Sequence, residues 1–178
     1  MRKILHAAGT ALGKMLGRIR GTLAGTGDAG TRAKTEKRLR GDAGERLAAE
    51  FLRKQCGMKI LCRNFRAGRD EIDIIARDGN TLVFAEVKTR SERDTHGAIY
   101  AVDARKRRAL HRAAAAYMRL LRERPGETRL DAVEVYLPDE RDAGTRRAGA
   151  VPPDSHFIGE ARLVHHRALS WNPRRRRD

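Results

Sequence analysis

The 178-residue sequence predicts a mixed α/β (α+β) fold, a central sheet flanked by helices in the order α-β-β-β-α-β. Two observations carry this. The first is a pair of apolar runs, residues 71–76 and 82–88, on either side of Asp78-Gly79-Asn80, a hairpin signal. Leu82 and Phe84 fall on one face of the second run, and Val83, Ala85 and Val87 on the other. Strands apolar on both faces are central strands. The second observation is two stretches with apolar residues at helical spacing, one before the hairpin and one after it. Helices and strands are therefore segregated rather than strictly alternating.

Taken in order, residues 1–27 are basic and free of acids, with Ile4, Leu5, Leu12, Met15, Leu16, Ile19 and Leu23 apolar. A short amphipathic helix is compatible with this pattern, but glycines at 9, 13, 17, 21, 25 and 27 weaken it, so a disordered or partly helical extension is expected over 1–40. Within it, residues 25–40 read as linker, since they carry no apolar face. The domain spans 41–164. Residues 43–56 form a helix with Ala48, Phe51 and Leu52 inward, ended by Gly57. Residues 58–65 are a first strand, and the hairpin supplies two more. Residues 91–97 are a polar loop. Asp103 caps a long helix from 104 to about 122, with Leu110, Ala113, Ala114, Tyr117 and Leu121 as its stripe and Pro125-Gly126 as its stop. Residues 128–137 are a fourth strand, 138–154 a loop, and 156–164 a last short strand. An Arg-rich disordered tail, 165–178, closes the chain.

The net charge is +16 and the isoelectric point about 11.0. The excess is uneven. Residues 1–40 carry ten Lys and Arg against two acids, 41–137 twenty against fifteen, and 138–178 nine against six. A polyanionic partner is the simplest reading, nucleic acid ahead of membrane. Aromatics make up only 4%, which argues against a base-stacking platform for single strands and for recognition through backbone and shape. Cys56 and Cys62 fit no zinc or redox spacing; as reduced thiols they suit a cytoplasmic protein. No apolar run reaches the length of a membrane span.

The chemistry concentrates in the hairpin. Glu86 and Lys88 share the face of Leu82 and Phe84. A two-residue turn at Asp78-Gly79 or at Gly79-Asn80 puts Asp73 on that face too, beside Phe84 or beside Glu86. Lone carboxylates in central strands cost about 1–3 kcal/mol or more each unless compensated. Asp73 and Glu86 can hold Mg²⁺ or Mn²⁺, which take one to a few carboxylates plus water and phosphate. Lys88 can hold an attacking water and stabilise a phosphate. A buried ion pair of Lys88 with Glu86 or Asp73 is the competing reading, and it leaves one carboxylate in excess. Glu45 falls on the inward stripe of the first helix. It either reaches this cluster or complements the helix dipole, and spacing leaves the two even. Glu71 is an alternative ligand, a support to Asp73, or a strand-end acid in water, and it ranks behind Asp73. His111, His156, His165 and His166 are scattered and read as solvated or tail residues.

Gly41-x-x-Gly44-Glu45-x-x-Ala48, Arg63-Asn64-x-Arg66, Glu71-Ile72-Asp73-Ile74-Ile75, Leu82-Val83-Phe84-x-Glu86-Val87-Lys88-x-Arg90, and Lys106-Arg107 through Ala113 to Tyr117 follow one another in the chain. Over about residues 41–164 this set resembles the bacterial YraN family, similar to archaeal Holliday junction resolvases and part of the PD-(D/E)xK nuclease superfamily. The resemblance implies a restriction-endonuclease-like core. It implies Glu45, Asp73 and Glu86 as catalytic and metal-binding acids, Lys88 as the catalytic lysine, and Mg²⁺ or Mn²⁺ as cofactor. Asp70 stands where that family usually has Gly. The function expected is a metal-dependent endonuclease hydrolysing phosphodiester bonds in DNA, branched DNA included. A non-catalytic nucleic-acid-binding module on the same fold is the alternative, and an interaction protein with incidental charge a third. Arg66 at the end of the first strand, and Lys106, Arg107 and Arg108 with Arg105 and Arg112 on the long helix, are the candidate phosphate contacts. DNA is the expected partner, and a second copy of the chain in a homodimer a further one.

Overall fold

A computed structural model describes residues 29–91, 104–138 and 153–169. The elements are α1 (Ala29–Lys54), β1 (Lys59–Ala67), β2 (Asp70–Asp78), β3 (Thr81–Ser91), α2 (Ala104–Leu120), β4 (Glu127–Leu137), β5 (Ser155–Ile158) and β6 (Ala161–His166). The strands form one mixed six-stranded sheet in the order β1-β2-β3-β4-β6-β5. The fold class expected from the sequence is the one observed.

Four expectations need correction. The first helix starts at Ala29, inside the stretch read as linker. Absence of an apolar face does not prevent a helix when Ala, Lys, Arg and Glu dominate, because these residues lose little freedom in helical backbone. The last strand is two, β5 and β6, folded as a hairpin in which Ile158 pairs with Ala161 across Gly159-Glu160, and Gly159 has φ of +60°. β6 then runs to His166, and the Leu169 amide donates to Leu130 O at 2.9 Å, so the start of the supposed tail is part of the fold. His165, expected in solvent, has a side chain only 7% exposed. The Asp103 cap, most of the 91–97 loop, the first 28 residues and the Arg-rich end lie outside the described residues.

The chain divides into two compact units, with divisions among the described residues falling inside α1, β3, β4 and β6. One contains the described residues 49–87, 104–133 and 165–169. Its β1 and β2 are antiparallel, as are β2 and β3. Ile72, Ile75, Leu82 and Phe84 from β2 and β3 pack with Leu110, Ala113 and Ala114 of α2 and with Leu130 of β4. All are at most 2% exposed, and each large side chain buried this way contributes roughly 1.5–3 kcal/mol. The Tyr117 ring meets Phe65 and Phe84 edge-on, at 5.1 and 6.1 Å between centroids, and ties α2 to both β1 and β3.

This unit also holds a buried polar network. Asp131, fully buried, accepts from Arg129 Nε at 2.8 Å and from the Ala168 amide at 3.0 Å, and lies 3.0 Å from His165 Nε2. Burial alone pushes the Asp131 carboxyl up; the hydrogen bonds from His165, Arg129 and the Ala168 amide outweigh it and hold the group below the usual range. Arg129 reaches Asp78 as well, at 2.9 Å, and Arg167 also pairs with Asp78. The other ring nitrogen of His165 lies 3.8 Å from Cys56 Sγ. Burial pushes that thiol up, so it is a packed, protonated cysteine.

The other unit contains the described residues 29–48, 88–91, 134–138 and 153–164. In it α1 touches β3 at Gly44, where a Cβ would stand 1.9 Å from Thr89 Oγ1. Glycine is required there by the close approach of helix to strand. Glu134, 2% exposed, accepts from Arg90 Nε at 3.1 Å and from the Tyr136 hydroxyl at 2.8 Å. The Arg162 guanidinium lies 3.7 Å over the Tyr136 ring.

Candidate functional site

The β2–β3 hairpin pairs Asp78 with Thr81, so its turn is Gly79-Asn80, with Gly79 at φ +56°. Of the two registers the sequence allows, this is the one that brings Asp73 beside Glu86. The last ladder pair before them is Ile74 with Ala85. Beyond it, Asp73 Oδ2 accepts the Val87 amide at 2.7 Å, a side chain taking over from backbone pairing. The Asp73 and Glu86 carboxyls are neighbours across the hairpin, and each acts on the other electrostatically. Burial pushes the Asp73 carboxyl above its ordinary value, and the nearby Glu71 adds to the rise. The Val87 amide, Lys106 and Glu86 reverse only part of it.

Lys106, in the first turn of α2, completes the cluster. Its Nζ lies 2.8 Å from Glu86 Oε1, with the lysine side chain 39% and the glutamate 13% exposed. Burial alone lowers the Lys106 ammonium; its hydrogen bond to Glu86, with the charges of Asp73 and Glu71, more than restores it and holds it above the ordinary lysine value. Sequence reasoning placed Lys106 among phosphate contacts and missed this pairing. Its neighbours Arg105, Arg107 and Arg108 are exposed.

The flank of the site is built by β1. Arg66 Nε lies 3.3 Å from Glu71, on a side chain 74% exposed. Asn64 falls between the pairs Arg63–Ile74 and Phe65–Ile72, across from Asp73, at a φ of +53° that asparagine tolerates better than most residues. A cavity of about 200 Å³ is lined by Arg66, Gly68, Arg69, Asp70 and Glu71. Asp70 is gripped by Arg112, Nε to Oδ2 at 2.7 Å and Nη2 to Oδ1 at 2.8 Å. The hydrogen bond from Arg112 holds the Asp70 carboxyl below the usual range. Asp70 is thus matched by a bidentate arginine from α2, and Arg112 is engaged rather than open to a phosphate.

Lys88 and Glu45 belong to the other compact unit. Lys88 is exposed on β3, two residues beyond Glu86. Glu45 is half-buried on α1, next to the Gly44 that abuts Thr89, with one carboxylate oxygen shut off from solvent.

Asp73 and Glu86 are partly buried hard oxygen donors, a type that suits a cation completing its shell with water and phosphate. Among the described residues, no three His, Cys, Asp or Glu side chains are grouped to hold a metal by themselves. Carboxylate oxygens of this kind fit Mg²⁺ or Mn²⁺ rather than zinc.

Residues 44–135 match the family described as "Uncharacterised protein family UPF0102", and the chain belongs to that family. Among its relatives, a UPF0102 protein of Paenarthrobacter aurescens is 48% identical over 99 residues, 56% of this chain and 81% of the relative. One from Symbiobacterium thermophilum is 48% identical over 102 residues, 57% of this chain and 86% of the relative. One from Chlorobium limicola is 39% identical over 118 residues, 66% of this chain and 88% of the relative. No described helix is long and apolar enough to cross a membrane.

Proposed function

We propose that this protein is a metal-dependent endonuclease that hydrolyses phosphodiester bonds in DNA, with branched DNA among its substrates, on a restriction-endonuclease-like core of the PD-(D/E)xK type. The observation that carries the reading is the convergence of Asp73 and Glu86, two partly buried carboxyls on adjacent central strands, the first held by the Val87 amide at 2.7 Å and the second by Lys106 at 2.8 Å. Purely structural acids are seldom placed face to face, since each raises the cost of ionising the other.

Asp73 and Glu86 hold the cation in this reading. A bound Mg²⁺ or Mn²⁺ supplies neutralising charge at the phosphate and lowers the pKa of a water. Asp73 is held in place through Oδ2 by the Val87 amide. Lys88, exposed on the same strand as Glu86, is the residue that orients the attacking water and steadies the phosphate. Glu45 is assigned to the acid set by the resemblance of its Gly-x-x-Gly-Glu motif, and Glu71 supports Asp73 through its charge. Arg66, Arg107 and Arg108 are exposed cations for backbone phosphates. DNA is read by backbone and shape, and a homodimer would present two such sites to a branched substrate.

The test is calorimetric. Wild-type protein should bind Mn²⁺, and Asp73→Asn and Glu86→Gln should each lose most of that binding. Equal binding by all three proteins rules out the site.

A further inference from the structure

We propose that Lys106 is the resident counter-ion of the Asp73–Glu86 pair and that a divalent cation binds by exchanging with it. This deepens the proposed function, since it rests on Asp73 and Glu86 being the cation's ligands. The Lys106 Nζ stands 2.8 Å from Glu86 Oε1. A Mg²⁺ ion sits about 2.0–2.1 Å from its oxygen ligands, so an ammonium and a metal cannot share that oxygen without strong repulsion.

The residue type is suited to exchange. Of Arg105, Lys106, Arg107 and Arg108, only the lysine is partly buried. A guanidinium would grip a carboxylate with two parallel hydrogen bonds, as Arg112 grips Asp70. An ammonium is a compact charge on a flexible stem and leaves with less disruption. Its position near the start of α2 lets the side chain swing without moving the helix core, which begins at Leu110.

The exchange also changes the sign of the site. With both carboxyls ionised, one ammonium leaves the cluster net negative, which repels a phosphodiester. With a divalent cation in place and the ammonium released beside it, the same groups are net positive. The cation thereby converts a site that rejects DNA into one that accepts it, and Lys106 becomes a positioning residue for the phosphate.

The experiment is calorimetry of MnCl₂ binding to full-length wild type, Lys106→Gln, Lys106→Arg and Arg119→Gln, each first shown to be folded by circular dichroism. Arg119 is exposed in the last turn of α2 and controls for the loss of one surface charge. Lys106→Gln should bind about tenfold tighter than wild type, Arg119→Gln like wild type, and Lys106→Arg more weakly. If wild type binds Mn²⁺ and Lys106→Gln binds equally or more weakly, the exchange is overturned while the carboxylate site stands. Tighter binding by Lys106→Arg overturns it too. If no variant and no wild type binds, the carboxylate site itself falls, and the exchange with it.

Discussion

Asp73 Oδ2 accepts the backbone amide of Val87 at 2.7 Å, one residue beyond Glu86 on the neighbouring strand. This bond fixes the Asp73 carboxyl at the end of the β2–β3 ladder, beside Glu86, where burial outweighs it and sets the pH behaviour of the site.

A carboxyl whose pKa is raised by folding keeps its proton longer in the folded state than in the unfolded one. Stability therefore falls as pH rises from the ordinary carboxylate value of 3.8 through the raised folded value. Asp73 is this case, facing Glu86, Glu71, Lys106 and the Val87 amide. Chemical denaturation of metal-free wild type and Asp73→Asn across pH 4–8 should show wild type losing stability relative to the variant as pH rises. Parallel curves would contradict the burial of Asp73.

Asp131 has the opposite sign. Its pKa is lowered by folding, so its contribution is present above the ordinary carboxylate value and lost as pH falls through the folded one. Asp131→Asn leaves Arg129 and His165 without their anion and should cost about 3–5 kcal/mol at neutral pH, with a smaller difference in acid. A loss under ~1 kcal/mol would show that Asp78 alone suffices for Arg129.

Gly44→Ala forces a Cβ to 1.9 Å from Thr89 Oγ1. Overpacking of this kind costs about 1–3 kcal/mol. Thermal melts should show the loss in the single variant and recovery of much of it when Thr89→Ala is added. No recovery would place the strain elsewhere.

DNA affinity measured against salt separates engaged from open cations. Arg107→Ala and Arg108→Ala should each lower the salt slope by about 0.9. Arg112→Ala should leave it unchanged, because Arg112 is committed to Asp70. An equal drop for Arg112→Ala would mean that the pair opens when DNA binds.

The sheet and the Asp73–Glu86 pair were legible because strand alternation and a two-residue turn are local rules, and only two registers fitted. Lys106 stands four residues before Leu110 and seven before Ala113, so its phase was in the sequence; its partner Glu86, on another element, was not. Asp131 and Glu134 sit in an apolar strand, a signal that reads as a buried acid in need of a partner, but the partners His165 and Arg90 lie 34 and 44 residues away. Nothing periodic points that far. The early start of α1 shows no apolar periodicity; helix propensity of its Ala, Lys, Arg and Glu residues carries it.

The most direct test of the central claim is cleavage of linear, flapped and four-way DNA in Mg²⁺ or Mn²⁺ by wild type, Asp73→Asn and Glu86→Gln. The account predicts cation-dependent cutting by wild type and a loss of at least ~100-fold in each variant. Wild-type protein that binds these DNAs but cuts none with either cation would contradict it and mark the chain as a binding module, and variants that cut as fast as wild type would contradict it equally.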